Sequence, residues 1–399
     1  LEGMAHGGIY DQIGGGFSRY SVDPRWHVPH FEKMLYDNGQ LLSLYASGYA
    51  RFGNPEFLRI VTQTIGFLLR ELRHLKGGFY ASLDADSLTD EGELEEGAYY
   101  AWTENELRTI LGEDFDWVKE FYNINSYGHW EKGRYVLVRK LSDKDFAAKM
   151  GWTPEALTEK VSGIQSRLMD FREKKPRPRL DDKLITSWNG LALSGLCEAY
   201  RYCELPEALV AARELGRFIN TTLSTPDGGL LHSYKAGGNP VNGYLEDYAT
   251  VIQGYIKLYS ITRDASWMER AMRLTRHTLE FFSDPGKALL YFSSSQDRAL
   301  IRRTVEVNDS VIPSSNSTMA KNLFLLGAFF AESSLIERAT SMTASLREKL
   351  EQYPGQYSNW MHLALWLKEP FYEVVLTGPE AFETLDRLQA QYLPHTLLT

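Results

Sequence analysis

Cysteine is almost absent: 399 residues carry two, Cys197 and Cys203, six apart on one predicted helix and facing different ways. Thiols so placed cannot staple a fold, which excludes a disulfide scaffold and points to a reducing, cytoplasmic setting. Long apolar runs are lacking too. The longest, Leu323 to Ala331, falls far short of the ~20 residues of a membrane span. Positive charge is scarce, with a net charge of −9, a pI near 5.6 and no basic run beyond Lys174 to Arg179. Nucleic-acid binding by charge is therefore not expected. No signal-peptide pattern is visible. Gly14, Gly15 and Gly16 do not form a phosphate loop, because no GK[ST] follows them. Neither G-x-S-x-G nor a Ser-His-Asp order is present. His27 and His30 have HxxH spacing without paired cysteines or a helical His-Glu motif, so no metal is expected, and no cofactor.

What the chain does hold is repetition. A helix reads from Asn38 through Leu42, Tyr45, Tyr49 and Phe52; Gly53-Asn54-Pro55 breaks it. Phe57, Val61, Ile65, Leu68 and Leu72 mark a second helix, and Gly77-Gly78-Phe79-Tyr80 ends the unit. The same 39 residues separate Asn38 from Gly77, Asn189 from Gly228, Asp247 from Gly286 and Asn316 from Gly355. Each leading Asn or Asp is read as a helix N-cap. Self-similarity at a fixed period marks a repeat architecture.

Two partial units complete the count. Gly7-Gly8-Ile9-Tyr10 matches Gly77-Gly78-Phe79-Tyr80, so the chain is expected to begin inside the last turn of a hairpin. Between Gly77 and Asn189 lies a divergent unit. Its first helix is expected after Thr103, where Thr-Glu-Asn-Glu resembles a capping box. A strand-like insertion follows at Gly133 to Val138, and a second helix runs from about Pro154 to Phe171. No polar end-cap of an open solenoid is visible. The expected fold is therefore all-α, an (α/α)6 toroid over 1–368 with an insertion near 123–150. A small α/β appendage is expected over 369–399, from the strand Glu373 to Gly378 and the helix after Glu380.

Within each hairpin the first helix is apolar nearly all round, as in Gly190 to Cys197, and the second is amphipathic, as in Ala211 to Phe218. First helices are therefore expected inside and second helices outside. The long connections then gather with the first-helix N-termini at one mouth. They carry Trp26, His30, Glu32, Asp37, Asp84, Asp86, Asp182, Trp188, His232, Glu246, Asp247, Tyr248 and Asn316. Carboxylates beside flat rings suit a sugar, which offers a C–H face and a hydroxyl rim. Trp188 and Tyr248 are the expected stacking platforms, with Asp182, Glu246 and Asp247 as hydroxyl acceptors. Trp26, Glu32, Asp37 and Asn316 are further candidate ligand contacts.

Two functions compete. A glycoside hydrolase would pair Asp84 or Asp86 with Asp182 or Asp247, whereas a sugar epimerase would use His30 and His232 for proton transfer. The alternative is a non-catalytic ligand-binding or scaffold domain. A carboxylate already salt-bridged favours binding or structure; a desolvated free acid favours catalysis.

Several strings carry a resemblance: Gly7 to Phe17, Trp26 to Asn38, Asp182-Lys183 with Trp188-Asn189-Gly190, Tyr244 to Tyr248, and Pro313 to Ser317. They resemble the spermatogenesis-associated protein 20 family of thioredoxin-domain-containing proteins, over nearly the whole chain. The resemblance implies an N-terminal thioredoxin-like domain in full-length members, which this chain lacks, and no CxxC is present. The C-terminal region of that family is similar to the six-hairpin glycosidases and N-acylglucosamine 2-epimerases. This agrees with the toroid, and no catalytic residues carry over from it.

Overall fold

The computed structural model describes residues 1–89, 91–297 and 302–398, and the described chain is mostly helical. It separates into two compact units. One comprises Leu1–Asn38, Pro55–Leu72 and Ala81–Asp182; the other comprises Gly39–Asn54, Arg73–Tyr80 and Lys183–Thr399.

The second unit is built of helical hairpins. The Thr186–Cys203, Leu245–Thr262 and Ser315–Phe329 helices pack side by side. Each is buried on most of its faces, and Leu42, Leu193, Val251 and Ala320, four residues after the repeated Asn or Asp, are at most 1% exposed. Pro206–Phe218 and Ser266–Phe281 each cover their partner with one apolar stripe; in the former it is Ala208, Ala211, Ala212, Leu215 and Phe218. The inside and outside helices are thus as the apolar patterning predicts. Close approach depends on glycine: a Cβ on Gly39 would lie 2.8 Å from the Ala192 nitrogen, and one on Gly195 would lie 2.4 Å from the Gly39 oxygen.

The hairpin turns share one device. The first helix stops on a left-handed residue: Gly53 (φ 63°), Glu204 (φ 55°), Arg263 (φ 57°) and Ala331 (φ 52°). Only one of these is glycine, so three turns hold a conformation that costs an L residue roughly 1–2 kcal/mol. Two of the second helices widen into a π-turn at their ends, Leu68–Leu72 and Ile219–Leu223, rather than stopping directly at glycine.

The repeated asparagines correct the sequence reading. They are not caps but lie inside their helices, fully buried: Leu35 starts the helix of Asn38, and Thr186 that of Asn189. Each clamps an extended segment instead. Asn38 Oδ1 accepts from the Phe17 N–H at 2.7 Å while its Nδ2 donates to the Phe17 and Met34 carbonyls. Asn189 does the same to Phe79, and Asn316 to Leu290. It is therefore Gly15-Gly16-Phe17, not Gly7-Gly8-Ile9, that stands where Gly77-Gly78-Phe79 stands. In the repeat that begins at Asp247 the clamp is Tyr248, whose hydroxyl accepts from the Leu230 N–H at 3.0 Å, and this leaves Asp247 to other partners.

The first unit is less regular. A capping box forms at Thr103 and Glu106, as the sequence implies, and Pro154–Arg172 is the long second helix. Trp102, Leu107, Phe115, Tyr122, Phe146 and Leu168 belong to one core. The strand expected over 133–138 is reduced to Arg134–Tyr135, paired with Trp102–Thr103. Three short strands, Lys33–Met34, Ser82–Leu83 and Leu180–Asp181, form an antiparallel sheet. Beneath it Asp11 is gripped by Lys33 Nζ (2.8 Å) and Arg172 Nη1 (2.9 Å), all three nearly inaccessible. Burial opposes the charge on Asp11, but Arg172 and Lys33 outweigh it and hold the carboxyl far below the usual range.

In the second unit, strands Tyr372–Val374 and Thr396–Leu398 pair in parallel, with the Ala381–Gln389 helix between them in sequence. This is the small α/β element. Among the described residues no helix is long and apolar enough to cross a membrane.

Candidate active site

A close group of titratable side chains in the second unit sits where the strand Leu231–Tyr234 meets the start of the Leu245–Thr262 helix. Asp247 is completely buried. Its Oδ1 accepts from the Ser187 N–H at 2.8 Å, so it serves the first turn of a neighbouring helix. Its Oδ2 accepts from the Tyr244 N–H at 2.9 Å and lies 3.0 Å from His232 Nδ1. The bond to Asp247 raises the pKa of His232. Burial pushes Asp247 up as well, with His232 and the two amides pulling it back. The amides favour a carboxylate, so the proton of the pair belongs on the imidazole.

Glu246 is the neighbouring carboxyl. It forms no ion pair among the described residues, and burial, followed by repulsion from Asp247, raises it to about 7. A glutamic acid so placed holds its proton near neutrality and releases it readily. Glu306 adds a further negative influence, while its Oε2 accepts from the Ser315 N–H at 3.0 Å. Tyr244 stacks on Phe292 with centroids 5.1 Å apart and touches the His232 ring, which leaves an aromatic wall beside the acids.

The ligand atoms of His232, Glu246 and Asp247 lie within 4.8 Å of one another, the one such group among the described residues. Asp247 already accepts three hydrogen bonds, however, so the group is better built to hold a proton than a cation.

The first unit holds the other candidates. His30 Nδ1 lies 2.8 Å from Glu96 Oε1, and its Nε2 lies 3.6 Å from Glu32 Oε2, which Arg19 approaches to 3.3 Å. Asp37 Oδ2 is buried with no hydrogen-bond partner among the described residues, and burial raises this carboxyl to about 7. Asp84 is held by the fork of Arg179, with Nη2 at 2.7 Å. Asp86 stands opposite Glu96 on a short ladder. Trp26, at φ 61°, is 38% exposed. Asp182 is exposed, and Trp188 is half-buried in the second unit.

Thus His232, Glu246 and Asp247 come together in one unit, and His30, Glu32 and Asp37 in the other. Tyr248 and Asn316 leave the list of ligand contacts, because both are fully buried with their polar atoms engaged by Leu230, His277 and Leu290. Tyr244, Arg19, Glu96 and Glu306 join the surroundings. Glu306 has no local signature, since it serves a helix nine residues further on.

The likeness to solved structures shows the class of fold, the (α/α)6 toroid. Cellobiose 2-epimerase from Spirochaeta thermophila matches 88% of this chain and 67% of its own at 12% identity, with a TM-score of 0.51. The cellobiose 2-epimerase from Bacillus thermoamylovorans matches 86% and 67%, also at 12% identity, with a TM-score of 0.52. The chain itself is similar over its whole length to spermatogenesis-associated protein 20: 30% identical to the Homo sapiens protein and 29% to the Mus musculus protein. An uncharacterised Caenorhabditis elegans protein, B0495.5, is 31% identical over 89% of the chain. The chain spans about half the length of these curated relatives, 55% for the human protein. No family model matches the chain.

Proposed function

We propose that this chain is a carbohydrate-active domain whose second unit binds a sugar at Glu246 and His232 and transfers a proton on it. The observation that carries the reading is the Glu246 carboxyl, raised to about 7 beside a His232–Asp247 pair. Two neighbouring groups that trade protons near neutrality are what removal and return of a proton beside a carbonyl requires. The solved cellobiose 2-epimerases share the fold, which supports a sugar as the ligand class.

The same group suits hydrolysis less well. A glycosidase needs two accessible carboxyls, and Asp247 is 0% exposed with both oxygens engaged. Epimerase-like chemistry is therefore the preferred reading, with Glu246 as the acid, His232 as its proton-exchanging partner, and Asp247 positioning His232. A purely binding role is favoured by Asp84, already neutralised by Arg179. Glu246 and Asp37, in no ion pair among the described residues, weigh against it.

The test is incubation of the chain with glucose, mannose and cellobiose in D2O, followed by NMR at C2. Exchange that disappears in Glu246→Gln and in His232→Asn supports the reading. Glycosidic cleavage instead, or no exchange with any of the sugars, overturns it.

A further inference from the structure

The inner helices of the second unit line most of an open pocket of about 490 Å³, within the range of small-molecule sites. It uses none of His232, Glu246 or Asp247. Segment 392–398 contributes to one wall.

Its charges do not cancel. Glu198 and Lys257 neutralise each other at 2.7 Å. Arg201, bonded to the Gln389 carbonyl, and Lys321 remain. Among the described residues Lys321 bonds to neutral partners, Asn359 Oδ1 at 3.0 Å and His362 Nδ1 at 3.5 Å, while the Glu198 and Asp309 carboxylates act on it from beyond ion-pair distance. His362 is pushed down to about 4, first by burial and then by Lys321, so it is neutral and cannot supply a counter-charge. Burial, with Lys257 next, lowers Lys321 itself to about 8, which still leaves it mostly charged at neutral pH. Its ammonium lies 5.1 Å from the centre of the Trp366 ring. A second unsatisfied group faces the same space: the Ser194 hydroxyl is buried with no partner among the described residues.

A half-buried cation in no ion pair among the described residues, beside an idle hydroxyl and an aromatic wall, is an incomplete polar network. We propose that this cavity is a binding site for a small organic anion, a carboxylate or phosphate monoester no larger than a sugar phosphate. Lys321 pairs with the oxyanion, Ser194 donates to it, and Trp366 covers its apolar body.

The probes are inorganic phosphate, glucose 6-phosphate, gluconate and neutral glucose, read by calorimetry and thermal shift on the whole chain. At least one anion is expected to bind and raise the melting temperature where glucose at the same concentration does not. Lys321→Met is expected to weaken that binding about 10–100-fold, the loss of one hydrogen bond to a charged group. Should that variant fail to fold, the wild type is labelled with acetic anhydride, and the anion is expected to protect Lys321 in the mass spectrum. Binding unchanged by Lys321→Met, glucose equal to the anions, or Lys321 unprotected by any of them overturns the proposal. Glu246→Gln is expected to bind the anion normally, so the result stands apart from the epimerase-like reading.

Discussion

Asn189 holds Phe79 by both ends of its amide, accepting from the Phe79 N–H at 2.8 Å and donating to the Phe79 carbonyl at 3.0 Å. The two residues are 110 apart in sequence. The clamp fixes where the end of one hairpin meets the inner helix of another. Asn189→Ala would leave two buried backbone groups unpaired, at about 1–3 kcal/mol each. The expected loss is therefore about 2–6 kcal/mol in a urea denaturation. Asn189→Asp should cost nearly as much, because a carboxylate has no N–H for the Phe79 carbonyl. A loss below about 1 kcal/mol would show the clamp to be incidental.

Leu193 is fully buried on an inner helix, against Gly254 of the next. Leu193→Ala should cost about 2–5 kcal/mol through the cavity it leaves, and Leu193→Lys should prevent folding. Circular dichroism and thermal melting separate the two. Equal tolerance of both would contradict the buried packing.

Asp11 stands between Lys33 and Arg172 with little access to water. Asp11→Ala strands two buried cations and should destabilise the first unit by about 3–5 kcal/mol. Removing Lys33 as well should recover part of that loss, since one cation then remains. A double-mutant cycle measures this coupling.

Glu246 and Asp37 should each make a contribution to stability that falls as the pH rises towards neutrality. Their folded pKa values are raised to about 7, so each binds more proton in the folded than in the unfolded chain from roughly pH 4 to 7. Over that window the contribution of each is lost as the pH increases. His232 acts in the same direction: its raised folded pKa gives stability that is complete below about 6.5 and lost as the pH passes its folded value. His362, lowered to about 4, acts in the opposite direction, so the check is made by variant. The urea midpoint of Glu246→Gln, and that of Asp37→Asn, each taken relative to the wild type, should be higher at pH 8 than at pH 5.

Gly53 sits at φ 63° in a hairpin turn where Glu204, Arg263 and Ala331 stand in the others. Gly53→Ala should cost about 1 kcal/mol, the strain of a left-handed L residue. Arg263→Gly should be neutral or slightly stabilising. Thermal melting of the two variants checks both signs.

Much of the hairpin architecture was legible locally. The apolar faces of Gly190 to Cys197 and the single stripe of Ala211 to Phe218 are set by helical periodicity, and burial follows from periodicity alone. The Thr103 capping box and the turn at Gly53 are likewise contacts between residues a few positions apart, so the chain carries them in its own order.

The roles within the repeat were not legible in this way. Asn38, Asn189 and Asn316 read as caps because a cap is the local use of asparagine, yet their partners Phe17, Phe79 and Leu290 lie 21, 110 and 26 residues away. The 39-residue spacing placed Asp247 in line with them, but the clamp there is Tyr248, and only packing shows that Asp247 is free to hold His232. Nor did sequence single out Lys321, which lies on a mostly buried helix and gains its meaning from Glu198, Lys257 and His362 on three others. Periodic burial is a property of neighbours in the chain, and sequence by itself determined it. Hydrogen-bond partners and the ionisation of Glu246 depend on distance and solvent access, and these exist only once the helices are packed.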